Sequence, residues 1–405
     1  MRGQITVKPL MYKKVLPVAL LAVCSFLPAE AVTASPTNII FFIGDGMGFE
    51  QVAAAGMYHA GSAGTLSFEP FPYRAEMTTH SANLPVTDSA ASATAMATGH
   101  KVNNGVISMA LPGDGTELQT LLEIFRDQGK STGLVTTTYM THATPACFGA
   151  HEPSRDNYAA IAGDYLYQTT PNVLLGGGGN GMSGPAAEAA GYTIVSDRSG
   201  MQSLDTESIT RVSGQFGVGH MPYEYDGLGT LPHLSEMTAT ALAILDNDPD
   251  GFFLMVEGGR IDHAGHANDI QRNVTETVEF ANAVQVAVDW ASGRVDTLIL
   301  VTADHETGGL TILQNNGIGV LPTVSWATTG HTAAAVPVYA WGQNADLVVG
   351  LMDNTDLFDV ALAPVVPATS TISLWLLVGA LILLHAVPRA GFRQVNRRGI
   401  HGTST

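Results

Sequence analysis

Residues 38–48 read Asn-Ile-Ile-Phe-Phe-Ile-Gly-Asp-Gly-Met-Gly, and the fold is decided there. Five consecutive apolar residues, 39–43, predict a strand buried on both faces. The strand stops at Gly44, and the next residue is a lone acid, Asp45, held between Gly44 and Gly46. In an open α/β sheet the chemistry gathers just beyond the carboxyl ends of the strands. A carboxylate there, between glycines that let other groups approach, suits a metal ligand. It equally suits a turn or a helix cap.

Three later strand ends carry side chains of the same chemistry. The run 252–256, Phe-Phe-Leu-Met-Val, leads into Glu257-Gly258-Gly259-Arg260-Ile261-Asp262-His263-Ala264-Gly265-His266. Asp262 and His266 are four apart, so one helical turn puts them on the same side. A carboxylate paired with an imidazole suits zinc. The strand predicted at 297–301 leads into Thr302-Ala303-Asp304-His305-Glu306-Thr307-Gly308-Gly309. Neighbouring side chains on a strand face opposite ways, so Asp304 and His305 share an ion only if the strand has already ended. The strand predicted at 132–138 leads into Thr141-His142-Ala143-Thr144-Pro145-Ala146. His331, in Thr329-Gly330-His331-Thr332 ahead of a strand at 336–341, carries little weight alone, because a lone histidine is usually a polar residue that found a partner.

Between these ends lie helices. Residues 48–60 form one rich in small residues, and a second starts near Ser89 and stops at Gly99. Ser89 then sits at a helix N-terminus, where free amides and the dipole favour an alkoxide or a phosphate. The other reading is that Asp88 or Ser89 only caps the helix. Residues 115–129 read as an amphipathic helix ended by Gly129. Arg155 precedes a helix at about 156–168; its guanidinium can grip a phosphate with two parallel bonds or form a surface ion pair. Residues 172–179 read as a strand ending in four glycines. The stretch 181–229, which holds His220, yields no functional reading. His233 precedes a helix at 234–245 and reads as structural. A helix at 269–290 carries an apolar stripe from Ile270 to Val288 that is core packing.

The chain has 405 residues, enough for one large domain with a buried core, and a formal net charge of −18. Eight of the 18 basic residues lie before Ser35 or after Pro388. With Glu30 also set aside, the middle keeps 10 basic and 35 acidic residues, a net −25. Such a surface repels nucleic acid, which excludes it as a binding partner. Bound cations would neutralise some of the acids. Of two cysteines, Cys24 lies in the leader, which leaves Cys147 without a partner for a disulfide.

Residues 1–34 read as a signal peptide: Lys13 and Lys14, an apolar run at 15–27, then small residues. One large folded domain is expected over 35–364. Residues 365–388 read as a sorting motif and hydrophobic helix, and the arginine-rich 389–405 as a basic cytoplasmic tail. The protein is therefore expected to be exported, to the periplasm or cell surface, and attached to a membrane or sorted through its tail. A C-terminal helix docked on the domain is the other reading of 372–387.

Taken together, the motifs resemble the alkaline phosphatase family. Gly44-Asp45-Gly46-Met47-Gly48, Asp88-Ser89-Ala90, the 256–266 segment and Thr302-Ala303-Asp304-His305-Glu306-Thr307 carry the resemblance, which runs from about Asn38 to Val349. It implies an α/β three-layer sandwich with a central, mostly parallel sheet between helices. It implies two Zn2+, one on Asp262, His266 and His331 and one on Asp45, Asp304 and His305. It implies one Mg2+ on Asp45, Thr144 and Glu257, with Ser89 the nucleophile and Arg155 the phosphate clamp. The substrates implied are small-molecule phosphate monoesters, hydrolysed through a phosphoserine. Well-known bacterial members carry aspartate and lysine where His142 and His263 stand, so these two are open residues beside the third metal. The chain is short between His305 and His331, where animal members carry an extra lobe; a homodimer remains open, without contacts through that lobe. Three divalent cations would balance Asp45, Glu257, Asp262, Asp304 and a phosphate dianion. The competing expectations are a phosphodiesterase or sulfatase relative with the same two-zinc core, and a surface phosphate- or metal-binding protein without catalysis.

Overall fold

The computed structural model describes residues 36–364. The signal peptide expected at 1–34, the sorting motif and helix at 365–388 and the basic tail at 389–405 lie outside the described residues. Among those described, no helix is long and apolar enough to cross a membrane.

The strands in chain order are β1 (Asn38–Ile43), β2 (Tyr73–Thr78), β3 (Ser131–Tyr139), β4 (Val173–Gly177), β5 (Thr193–Val195), β6 (Val212–Gln215) and β7 (Phe252–Glu257). There follow β8 (Thr297–Thr302), β9 (Glu306–Thr307), β10 (Leu310–Gln314), β11 (Thr323–Trp326), β12 (His331–Thr332), β13 (Val336–Gly342) and β14 (Gly350–Asp353). Ten of them form one sheet in the order β14-β2-β13-β8-β1-β7-β3-β4-β6-β5. Within it β13 alone runs against the others: its pairings with β8 and β2 are antiparallel, and the rest are parallel. The short β9 and β12 pair with each other, as do β10 and β11.

Both sheet faces are covered, which explains the unbroken apolar runs. Side chains alternate along a strand, so Phe41 and Phe42 point to opposite faces. Phe41 meets Phe148, which with Phe125 also meets Phe253; these rings come from the helices Leu121–Asp127 and Ala143–Gly149. Phe42 meets Phe280 on the helix Ile270–Trp290. The expected mostly parallel three-layer α/β sandwich is therefore the architecture found.

Register matters most for the site. Ile43 lies opposite Glu257 of β7 and Thr302 of β8, and Thr136 of β3 lies opposite the same Glu257. The carboxyl ends of β1, β7 and β8 are level, and β3 runs on past them by three residues to Tyr139. Whatever follows them must converge.

Two helices are shorter than expected. The one read at 115–129 begins only at Leu121, because Thr120 and Glu123 form a capping box there. The residues before it are drawn into a bridge between Met109 and Glu117. The one read at 156–168 is Tyr158–Asp164 followed by a wider π turn to Thr169. The stretch 181–229, opaque in sequence, supplies β5 and β6 at the sheet edge.

Glu276, on the long helix, accepts a 2.7 Å hydrogen bond from the Glu224 amide and so pins the segment after β6 to that helix. Burial pushes its carboxyl up to about 8. The unfolded value is about 4.3, so the folded chain holds a proton that the unfolded chain releases. The contribution to stability is full below about pH 4 and declines as the pH rises towards 8. Glu276→Gln keeps the acceptor and has no proton to lose. It is expected to flatten the loss of stability between pH 5 and 8, read as denaturant midpoints across that range.

Candidate active site and metal centre

Asp45 follows β1 directly and is fully buried, with both carboxylate oxygens lacking any hydrogen-bond partner. Glu257 ends β7. Its Oε2 accepts from Thr136 and, at 3.3 Å, from Thr138, whereas its Oε1 is unpartnered. Asp262 and His266 sit on the helix Arg260–His266, with His266 Nε2 3.3 Å from Asp262 Oδ2. β8 ends at Thr302, so Asp304 and His305 are free of strand alternation, and His305 Nε2 lies 3.2 Å from Asp304 Oδ2.

Ligand-type atoms gather in three overlapping groups, each within 4.8 Å: Asp262, His266 and His331; Asp45, Asp262 and His305; Asp45, His142 and Glu257. Asp262 therefore borders both of the first two groups. His142, left open in sequence, is in the third with its Nδ1 buried and unpartnered; the Thr144 hydroxyl is likewise orphaned. His263 stands back, its Nδ1 2.8 Å from Arg260 Nη1.

The histidine tautomers follow from the outer contacts. His266 Nδ1 faces the Thr329 carbonyl at 2.6 Å and His331 Nδ1 the Thr87 carbonyl at 2.9 Å. Both must donate there, so both turn Nε2 inward, and the bond to Asp262 raises His266 to about 9, so that without a cation its Nε2 carries a proton. Those two Nε2 atoms are 3.1 Å apart. Two lone pairs at that distance require a proton or a cation between them. Thr307 donates to Asp262 and accepts from His305 Nδ1 at 3.2 Å, which turns His305 Nε2 inward as well.

Electrostatics says the same. Burial, then Asp304, Asp262 and Glu257, drive the Asp45 carboxyl far above its usual range. Burial lifts Glu257 to about 7, and burial with Asp262 lifts Asp304 to about 6. Asp262 is the exception: burial opposes it, but its bond to His266, then His305 and His331, keeps it low. Burial first, then nearby cationic groups, depress His142 and His305, so these imidazoles are neutral. Neutral imidazoles and orphaned carboxylate oxygens are the donors a divalent cation needs. The residues present fit the implied metals.

Ser89 is the first residue of the helix Ser89–Thr98, buried, with Oγ 3.3 Å from His305 Nε2. The cap is Asp88, whose side chain accepts from the Ala91 amide at 3.0 Å. Asp88 also takes Arg155 Nη1 at 3.0 Å, and Arg155 Nη2 lies 3.4 Å from His142 Nε2. Arg155 is thus carried to the same pocket as Ser89.

One residue that sequence reasoning missed is His220. Its ring lies 4.4 Å from that of His263 and 5.6 Å from that of His142. The signal for it was the glycine run after β4: a side chain at Gly177 would strike the Gly219 carbonyl, so only glycine lets the His220 segment come this close. A fourth ligand-type group, Glu224, His233 and Glu279, lies outside the pocket.

A sheet whose level strand ends converge on a buried serine, an arginine and clustered metal-type donors defines a phosphatase of the three-layer α/β kind. A family model described as alkaline phosphatase matches residues 36–323. Alkaline phosphatase 3 of Bacillus subtilis is 33% identical over 447 aligned positions, covering 85% of this chain and 95% of that one. A cold-active alkaline phosphatase structure from Shewanella sp. superposes with TM-score 0.73 at 30% identity, covering 80% of this chain and 98% of that one. A histidine-to-aspartate variant of the Antarctic TAB5 alkaline phosphatase, solved with Mg bound in its M3 site, superposes with TM-score 0.70 at 28% identity, covering 81% and 97%. The chain belongs to the alkaline phosphatase family.

If cations hold the cluster together, removing them must weaken the fold. Any divalent cation bound only by the folded chain, free at a hundred times its dissociation constant, would stabilise it by about 2.7 kcal/mol per site. A chelator should lower the melting temperature and added zinc should restore it. An unchanged melting curve would show that the cluster is self-sufficient.

Proposed function

We propose that this phosphatase hydrolyses phosphate monoesters through a phosphoserine on Ser89. Asp262, His266 and His331 would hold one Zn2+, Asp45, Asp304 and His305 the second, and Asp45, Thr144 and Glu257 a Mg2+ with His142 beside it. Bound there, the zinc ions supply Lewis acidity to the attacking and leaving oxygens of an in-line displacement. The observation that carries the reading is Ser89 Oγ at 3.3 Å from His305 Nε2, at the edge of the donor cluster.

The chain's own groups then have defined tasks. Ser89 Oγ bonds to phosphorus as the alcohol departs, and water later frees the phosphate, so one hard step becomes two easier ones. The helix N-terminus behind Ser89 favours its alkoxide. Asp88 holds one arm of Arg155, which presents a pre-set guanidinium to the phosphoryl oxygens.

Export, and attachment or sorting through the C-terminal tail, belong to the same reading; the leader and tail of the sequence support them. N-terminal sequencing of the mature protein tests the leader.

Ser89→Ala is expected to keep its zinc and lose at least about a thousandfold in aryl phosphate turnover. Undiminished turnover would remove Ser89 from the mechanism. The wild type should prefer monoesters to diesters, because a diester offers Arg155 and the metals one charge fewer. The reverse preference would favour the phosphodiesterase reading.

A further inference from the structure

Three polar groups beyond the pocket, two of them buried, form a directed chain that ends on it. Lys101 donates through Nζ to the Asn354 side-chain oxygen. Asn354 Nδ2 donates to Ser92 Oγ at 2.9 Å. Ser92 Oγ donates to the Asp304 carbonyl at 2.6 Å. Ser92 and Asn354 are both fully buried. Lys101 is fixed at the outer end by the Asp353 carboxylate at 3.0 Å and the His80 carbonyl at 2.7 Å.

Every bond in this chain points the same way. A serine hydroxyl has one proton; because Asn354 occupies its oxygen as a donor, that proton must go to Asp304. Bonds aligned from an ammonium polarise one another, so each strengthens the next. The final acceptor is the backbone of the turn that carries Asp304 and His305. The donor, Ser92, lies three residues after Ser89 and on the same helix face. One hydrogen bond therefore ties the helix of the nucleophile to the turn of two donor side chains.

We infer that Ser92 and Asn354 are positioning residues that set the distance between Ser89 and the Asp304–His305 turn. Neither touches substrate. The inference rests on the phosphatase reading above for its effect on turnover, but not for its effect on metal retention. Misplacing a nucleophile by about 1 Å costs about a hundredfold in rate. Losing the clamp also frees the turn to let its metal go.

The test uses the full-length, zinc-loaded protein: wild type, Asn354→Asp, Ser92→Ala and the double variant. Asn354→Asp still accepts from Lys101 but cannot donate to Ser92, and it draws the serine proton away from Asp304. We expect kcat on an aryl phosphate to fall about tenfold or more with KM nearly constant, and zinc loss into excess chelator to quicken by a similar factor. The double variant should be no worse than the more impaired single variant, since both break one chain. A role in stability alone would lower the melting temperature and leave kcat and zinc loss, measured well below it, within twofold of wild type; that result overturns the inference. Should the buried variants not fold, Lys101→Gln at the outer end must still quicken zinc loss, and an unchanged rate overturns the inference too. A wild type that keeps zinc but releases no alcohol defeats the phosphomonoesterase reading alone, because the zinc-loss comparison needs no turnover.

Discussion

Four carboxylates, Asp45, Glu257, Asp262 and Asp304, are buried side by side, and their mutual repulsion is the constraint on which the site depends. Water would screen such charges; here the fold has removed it. Level strand ends force them together, because β1, β7 and β8 finish within one residue of one another in register. An apolar sheet buried on both faces supplies the stability to hold that arrangement. Two kinds of counter-charge can relieve it. Protons do so in the metal-free state, as the raised Asp45, Glu257 and Asp304 carboxyls indicate. Divalent cations do so without giving up the carboxylate charge.

The histidines decide which kind of counter-charge the pocket suits. His266 and His331 spend their Nδ1 protons on backbone carbonyls of Thr329 and Thr87, and His305 spends its own on Thr307. What remains is three Nε2 atoms turned inward beside the carboxylate oxygens. With the outer nitrogens held by the backbone and by Thr307, a divalent cation that displaces the inner proton meets three imidazole nitrogens beside the carboxylates.

Much of this was legible from residues alone, for a physical reason. A strand buried on both faces must be an apolar run, and a run that stops at a glycine and an acid marks its own end, as at Ile43-Gly44-Asp45. Helical spacing likewise makes Asp262 and His266 a pair by their positions in the chain. Other features depend on contacts that no local pattern encodes. β13 is apolar like β8 beside it, and nothing in its own residues marks that it runs against both β8 and β2. The helix read from residue 115 starts at Leu121 because Thr120 and Glu123 cap each other, while the preceding residues pair with Met109. His220 reaches the pocket because two glycine backbones, Gly177 and Gly219, pass in contact far apart in sequence.

The Asp88-Ser89 pair solves a conflict that the nucleophile proposed for Ser89 would meet at a helix start. The dipole and free amides that favour an alkoxide are also what make serine a good cap, and a capping hydroxyl is turned back towards its own backbone. Here the acid one residue earlier takes the cap. Asp88 accepts from the Ala91 amide, the Gly105 amide and Arg155 Nη1, so both of its oxygens are engaged. Ser89 is left at the first helical position with its hydroxyl directed at His305 instead. The same carboxylate that frees the serine also seats the arginine, so the orientation of both groups rests on one side chain. Replacing Asp88 would therefore disturb the Ser89 and Arg155 side chains together, whereas replacing Arg155 would leave the cap and the serine in place.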